Sequence, residues 1–140
     1  MEEKLKSPNP LTVSSRSLAF LGDAVYELKI RKRAIDEYNG SVGELNSMTK
    51  ELVSAKAQSK IADALLDFLT EDEIRIYKRG RNVKSVPAPH SCSISEYRKA
   101  TGLEALLGYL YLEGKESRID EIIAHALEKY GNFAKAGEIS

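Results

Sequence analysis

Apolar residues recur at spacings of three and four along most of the chain, and no segment alternates apolar and polar positions over the length of a strand. This periodicity predicts an all-α fold of about six helices. The first helix is expected to begin near Ser14 or Ser15 and to run to about Tyr38, where Asn39-Gly40 ends it. Its predicted apolar face consists of Leu18, Leu21, Val25 and Leu28.

The middle of the chain is expected to hold a short helical turn over residues 41–46, followed by a second long helix over about residues 47–69. Small residues at three positions would permit close packing of this helix: Ala55, Ala57 and Ala62. Its predicted apolar stripe consists of Leu52, Ile61, Leu65, Leu66 and Leu69.

Polar pairs mark the starts of the later helices. Thr70 with Glu73 and Ser93 with Glu96 fit the capping box, in which the hydroxyl accepts from an early backbone N–H and the carboxylate accepts from the N–H of the cap residue. Ser117 with Asp120 gives a third signal, for a last helix that closes near Gly131. Residues 82–92 contain two prolines and therefore predict an exposed loop.

The length and composition limit the class of protein. A chain of 140 residues fits a single domain, 1–140, with an expected ordered core of about 15–130. No apolar run approaches the ~20 residues of a membrane span, and the N-terminus lacks the apolar core of a signal peptide. The single cysteine, Cys92, excludes a disulfide framework and a cysteine-rich zinc site. We therefore expect a soluble, intracellular protein.

The charges are unevenly distributed, although the formal net charge is +0. Between Arg75 and Lys99 there are seven basic residues and one acid, so this segment carries a local charge of +6. A basic segment of this density favours a polyanionic partner, whereas the simpler interpretation is a solvated helix end that binds nothing.

Two helices place an acid among apolar residues next to a glycine. Gly22 and Asp23 lie inside the first helix, and Glu104 lies between Gly102 and Gly108. A glycine inside a helix costs about 1 kcal/mol relative to alanine, so it suggests close approach of another helix or of a partner's backbone. Asp23 is expected to be partly buried, where a carboxylate needs a partner. Two such acids on facing helices could bind Mg²⁺, or each could pair with a base such as Arg16 or Arg98.

These two segments resemble the conserved motifs of a known enzyme family. The run from Leu18 to Glu27, with Leu-Gly-Asp-Ala at its centre, resembles the signature helix of ribonuclease III catalytic domains. The run from Leu103 to Leu112 resembles the second conserved helix of that family, and the two lie in the expected order. The length, the lack of a double-stranded-RNA-binding domain and the run from Tyr77 to Asn82 are most similar to the short bacterial branch, Mini-ribonuclease III.

The chain departs from the longer ribonuclease III enzymes at three acidic positions. Those enzymes have glutamates seven and four positions before the signature aspartate, where this chain has Arg16 and Ala19. They also have an aspartate three positions before the second-motif glutamate, where this chain has Thr101. Only Asp23 and Glu104 match, so the resemblance implies a metal site with fewer acids.

The resemblance implies a Mg²⁺-dependent endoribonuclease that cleaves double-stranded RNA as a homodimer in the cytoplasm. Asp23 and Glu104 are then the catalytic residues and metal ligands. Glu27, one turn after Asp23, could order metal-bound water in the second shell or could instead pair with Arg31. The short branch further suggests maturation of the large-subunit (23S) ribosomal RNA precursor, with ribosomal proteins or the pre-ribosome as further partners and no membrane.

The basic segment gains an RNA-binding interpretation from this resemblance. Phosphates could be bound by Lys78, Arg79, Arg81 and Lys84, and a 2′-hydroxyl could be bound by Asn82. The loop over residues 83–91 could enter a groove and set site preference, or it could be merely connective. Phe20 could serve the dimer interface or be an ordinary core aromatic.

Two other functions remain open on the sequence. The first is a catalytically silent ribonuclease III-like protein that binds structured RNA or ribosomes; retention of both Asp23 and Glu104 favours the enzyme over it. The second, a helical protein-interaction module, leaves both the acids and the basic segment unexplained.

Overall fold

The computed structural model describes residues 9–84 and 88–130. A short 3-10 turn, Pro10–Thr12, precedes six α-helices in this part of the chain, and no strand occurs in it. The helices are α1 (Ser15–Glu37), α2 (Val42–Leu52), α3 (Ala55–Leu65), α4 (Glu71–Arg81), α5 (Ile94–Leu112) and α6 (Glu116–Tyr130). The predicted all-α fold of about six helices is therefore confirmed.

The predicted helix starts agree with the observed caps in most places. Ser14 caps α1, and its side chain accepts from the Ser17 backbone N–H. Both predicted capping boxes are present, with Thr70 and Glu73 at the start of α4 and Ser93 and Glu96 at the start of α5. Each box gives partners to backbone N–H groups that the first turn of a helix leaves unpaired.

Three predicted boundaries are wrong. The short turn expected over residues 41–46 is instead the start of α2, which runs without a break from Val42 to Leu52. The expected long helix over about residues 47–69 is divided into α2 and α3 at Val53 and Ser54, because the Ser54 side chain accepts from the Ala57 backbone N–H and begins a new helix there. The last helix begins before the predicted Ser117, since α6 starts at Glu116. The predicted end of that helix near Gly131 lies outside the described residues, and so does part of the 82–92 loop, at 85–87.

Helix α5 is the central element, and α1, α3 and α4 pack against it. Glycines allow two of these contacts to be close. A Cβ atom on Gly22 would collide with the Glu104 backbone oxygen, and one on Gly108 would collide with the Leu18 backbone oxygen. The two glycines therefore bring the backbones of α1 and α5 together, within the same chain rather than with a partner.

The contact between α4 and α5 uses the same device. A Cβ atom on Gly80 would lie 2.8 Å from the Ala105 Cβ, and one on Gly102 would lie 2.7 Å from the Tyr77 backbone oxygen. Thus α1 and α4 both lie close to α5, and the space between them opens to solvent as a cleft.

Burial confirms most of the predicted apolar positions and corrects two. Leu18 and Val25 are buried in α1, and Leu52, Ile61, Leu65 and Leu69 are buried in the middle of the chain. Leu28, in α1, and Leu66, just after the end of α3, are however exposed. Within the described residues, no helix is both long and apolar enough to cross a membrane.

Candidate active site

A cleft of about 300 Å³ lies at the contact of α1, α4 and α5 and holds both candidate acids. Asp23 comes from α1 and Glu104 comes from α5, and the glycine contact between these helices holds the two side chains together. The cleft is lined by Arg16, Ala19, Phe20, Asp23, Gly80, Val83, Tyr97, Arg98, Thr101 and Glu104. All three positions at which the chain departs from the longer enzymes thus face the same cleft as the two acids.

The two carboxyl groups differ in exposure. Glu104 is half-buried, and its pKa is raised to about 8, first by burial and then by the charge of Asp23, while a hydrogen bond donated by the Gln58 amide acts in the opposite direction. Asp23 is exposed at the mouth of the cleft, so the expectation that it is partly buried was wrong. The reason is that Gly22, its neighbour, faces α5, which turns Asp23 toward the open side.

The alternative in which each acid pairs with a base finds no support in the described residues. Among them, no ion pair within 4.0 Å joins Asp23 or Glu104 to a lysine, arginine or histidine, although Arg16 and Arg98 line the same cleft. Both carboxyl groups are therefore available to a cation, which would displace the proton of Glu104.

The donor set of the cleft fits a divalent metal such as Mg²⁺. Carboxylate oxygens are the ligands that Mg²⁺ prefers, and one or two of them suffice when water fills its other positions. Gln58 supplies a supporting feature, because this α3 residue is only 2% exposed and its side-chain oxygen is buried without a hydrogen-bond partner among the described residues. A buried amide oxygen beside Glu104 could accept a hydrogen bond from metal-bound water. The described ranges contain no larger cluster, of three or more His, Cys, Asp or Glu side chains, that could hold a metal.

Glu27 does not share the cleft. Its carboxylate lies 2.5 Å from the Arg31 guanidinium one turn later on α1, and it is absent from the residues that line the cleft. The structure thus shows the pairing with Arg31 that the sequence left as an alternative to the ordering of metal-bound water by Glu27.

The basic residues in and just after the last turn of α4 are not equivalent. Arg79 donates hydrogen bonds to the Ser15 side chain and to the Leu11 and Val13 backbone oxygens, so its guanidinium holds the N-terminal segment against α4. Its side chain is exposed, and the phosphate contact expected for it stays a prediction. Lys78, Arg81, Asn82 and Lys84 remain at the surface, fully or partly exposed.

A second depression, which we call the basic groove, lies beside the cleft and was missed in the sequence. It has a volume of about 360 Å³ and is lined by Arg81, Asn82, Ile94, Ser95, Arg98 and Lys99. Arg98 and Lys99 belong to the charged segment between Arg75 and Lys99, which was the available signal. Their proximity to Arg81 depends on how α4 and α5 cross, which that segment alone does not define.

Comparisons with known proteins agree with this geometry. A family model described as the ribonuclease III domain matches residues 16–115, a range that contains both acids and the whole cleft. The chain belongs to the ribonuclease III family. Its enzyme class is that of an endoribonuclease of the ribonuclease III type.

Individual relatives of this ribonuclease III-family chain extend over most of its length. It is 44% identical over 121 residues to Mini-ribonuclease 3 of Thermoanaerobacter sp., covering 86% of this chain and 85% of that protein. It is 40% identical over 124 residues to Mini-ribonuclease 3 of Symbiobacterium thermophilum, covering 89% and 95% of the two proteins. A crystal structure of a Fusobacterium nucleatum protein superimposes with a TM-score of 0.76 at 39% identity, covering 88% of this chain and 98% of that one. The matched regions thus include at least 85% of each of these three relatives.

Proposed function

We propose that this protein is a Mg²⁺-dependent endoribonuclease that cleaves double-stranded RNA with Asp23 and Glu104 as its catalytic acids. The observation that carries the proposal is the meeting of these two carboxyl groups in one open cleft, with no basic side chain paired to either among the described residues. Two carboxyl groups in one cleft cannot both ionise without a cost in free energy unless a cation joins them, and this arrangement is typical of a functional site.

The chain's own residues prepare the cleft for phosphodiester hydrolysis. Gly22 and Gly108 fix the separation of α1 and α5, so Asp23 and Glu104 are held in place before substrate arrives. Glu104 must release its proton to act as a metal ligand, and the Gln58 amide favours this by donating to the carboxylate. When bound by these two acids, Mg²⁺ supplies activation of a water molecule and stabilisation of charge on the leaving oxygen.

The surface beside the cleft suits an RNA duplex. A-form RNA is recognised mainly through its phosphates and 2′-hydroxyls, and the cationic side chains of Lys78, Arg81 and Lys84 lie near the end of α4, next to the cleft. Asn82 provides an amide for a hydroxyl. The hypothesis that residues 83–91 set site preference falls partly on 85–87, which lie outside the described residues.

We further propose that the protein acts as a homodimer, so that two clefts face the two strands of a duplex. An apolar strip on α1 supports this proposal: Phe20 is 84% exposed, Leu28 is 62% exposed and Ile35 is 66% exposed. Their spacing of eight and seven residues places them on one face of the helix. The exposure of Phe20 also excludes the interpretation of this residue as a core aromatic, and its position at the edge of the cleft would bring the dimer partner close to the site.

The natural substrate that the family resemblance suggests is the precursor of large-subunit (23S) ribosomal RNA in the cytoplasm, with the pre-ribosome and its proteins as partners. The competing proposal is a catalytically silent protein that binds structured RNA. Asp23 and Glu104, neither of which pairs with a base among the described residues, favour the enzyme, since a silent protein gains nothing from keeping two carboxyl groups together.

The deciding experiment incubates the protein with a perfect RNA duplex and with a 23S precursor transcript, with Mg²⁺ and with EDTA. We expect Mg²⁺-dependent cuts on both strands, and we expect Asp23→Asn to lose at least ~100-fold in rate while keeping its melting temperature and its duplex affinity. Asp36→Asn, on the same helix but outside the cleft, is the matched control and should cut like the natural protein. Tight duplex binding without cleavage in Mg²⁺ or Mn²⁺ would establish the silent RNA-binding alternative instead.

A further inference from the structure

The cleft and the basic groove share one side chain, Arg98. Arg98 lines the cleft together with Arg16 and the two acids, and it lines the groove together with Arg81 and Lys99. Because a single side chain borders both depressions, they are neighbours on the surface, with Arg98 at their common edge.

Within the cleft, two guanidinium groups accompany the two acids without pairing to them. One Arg16 nitrogen donates to the Lys84 backbone oxygen at 3.1 Å, and its other N–H groups have no partner among the described residues. The Arg98 guanidinium makes no hydrogen bond or ion pair with any described residue. Guanidinium groups with available N–H donors are preferred ligands of phosphate, which they can bind through two parallel hydrogen bonds.

The groove carries charge of one sign. Three cations line it, and no carboxylate does. The Arg81 Nε atom donates to the side-chain oxygen of the next residue, Asn82, at 3.1 Å, and the Lys99 Nζ atom lies 3.0 Å from the Asp63 carboxylate of α3. An exposed depression lined by three cations attracts an anion of low specificity, such as a phosphodiester.

We propose that the cleft and the groove are two phosphate subsites for one RNA strand, with Arg98 shared between them. Arg16 and Arg98 bind the phosphate that is cleaved, and Arg81, Arg98 and Lys99 bind a neighbouring phosphate of the same strand. This proposal rests on the proposed function, and it adds three residues, Arg16, Arg98 and Lys99, to the RNA contacts expected from the sequence.

The proposal predicts a different effect for each side chain. Arg16→Gln keeps a donor for the Lys84 carbonyl but removes the charge, and should lower kcat at least ~10-fold with little change in duplex affinity. Lys99→Ala should weaken duplex affinity several-fold and reduce the slope of log Kd against log salt by about one. Arg98→Ala should lower kcat and also weaken duplex affinity, with a smaller salt slope. Arg75→Ala, which removes an exposed arginine paired with Asp72 outside both depressions, is the matched control.

The measurements are single-turnover cleavage of a labelled duplex in Mg²⁺ and, on the non-cleaving Asp23→Asn background, duplex binding across a salt series. Melting temperatures identify any variant that fails to fold, and Arg16→Lys or Arg98→Lys then takes its place. These lysine variants keep the charge but lose the planar guanidinium, so they should show a smaller decrease in cleavage or affinity than the variants they replace. A normal kcat for Arg16→Gln, or a salt slope for Lys99→Ala and Arg98→Ala equal to that of Arg75→Ala, would overturn the two-subsite proposal. Absence of cleavage by the natural protein would contradict the proposed function instead, and the salt slopes would still test the groove.

Discussion

Glu104 is the residue whose chemistry depends most on its surroundings. Its pKa of about 8 arises from burial and from the nearby charge of Asp23, whereas the ordinary value for a glutamate is 4.5. In the folded, metal-free protein this carboxyl group therefore keeps its proton across a range of pH in which the unfolded chain has lost it. The folded state then binds more protons than the unfolded state, so its stability decreases as pH rises from about 4.5 to about 8.

Glu104→Gln should remove this pH dependence because a neutral amide has no proton to lose. We compare the free energy of unfolding of the variant with that of the natural protein, both in EDTA. The difference in favour of the variant should be larger at pH 8 than at pH 5 by roughly 1–3 kcal/mol. Added Mg²⁺ should stabilise the natural protein more at pH 8 than at pH 6, since the metal competes with the proton, and should not stabilise the variant. Chemical unfolding at these pH values measures both effects, with the exposed Glu128→Gln as control. If the free energies of unfolding of variant and natural protein differ by the same amount at pH 5 and at pH 8, the raised pKa of Glu104 is contradicted.

At the scale of elements, the active cleft depends on a backbone contact between α1 and α5. Glycine is required at Gly22 and Gly108 because any side chain would meet the backbone of the opposite helix, at Glu104 or Leu18 respectively. The conformation of these glycines is ordinary for a helix; their missing Cβ atoms are what matter. The motif that surrounds Asp23 is thus partly a packing motif, and it keeps the acids together by keeping their helices together.

Gly108→Ala should separate α1 from α5 and destabilise the protein by at least ~2 kcal/mol through overpacking. Residual folded protein should cleave slowly, because the separation of Asp23 and Glu104 changes with the helix contact. Gly43→Ala is the matched control: the nearest atom to its added Cβ would be the Ser41 hydroxyl at 3.8 Å, so it should be neutral or stabilising by up to about 1 kcal/mol. Thermal unfolding monitored by circular dichroism distinguishes the two, and equal stabilities for both variants would count against the close contact.

At the scale of the whole molecule, the apolar strip on α1 is the feature that a monomer does not explain. Exposed leucine, isoleucine and phenylalanine side chains along one helix cost solubility unless another surface covers them. A second copy of the chain fits best, because the strip begins at Phe20, beside the cleft, and a duplex has two strands to cut.

Leu28→Asp and Ile35→Asp should each convert a dimer into a monomer at micromolar concentration, because a carboxylate would be buried in an apolar interface. Light scattering gives the mass, and a duplex cleavage assay shows whether cuts on the two strands become uncoupled. Leu66→Asp, an exposed apolar position after α3 and away from the strip, should leave the mass unchanged. A natural protein that is monomeric at these concentrations would refute the dimer.

The local features of the sequence were sufficient to predict the all-α fold and the starts of α1, α4 and α5. Ser14, Thr70 and Ser93 cap helices where predicted, since capping involves hydrogen bonds among residues only a few positions apart. The two acids and the two glycines of the α1–α5 contact were also identifiable, because an acid or a glycine in an apolar helix is unusual wherever it occurs. The error at Val53 and Ser54 arose because apolar periodicity continues across a break that a single serine cap creates.

Only the tertiary structure decided which of these residues meet and which are exposed. Asp23 and Glu104 lie far apart in the chain, and their proximity follows from the packing of α1 on α5. The position of Arg98 at the edge of both cleft and groove likewise depends on the packing of α4 on α5. The tertiary structure also leaves Asp23 and Leu28 exposed and places the Arg79 guanidinium against the N-terminal segment. Sequence periodicity specifies the faces of a helix, but burial and partnership depend on the neighbours that each face acquires, and those are set by packing across the whole chain.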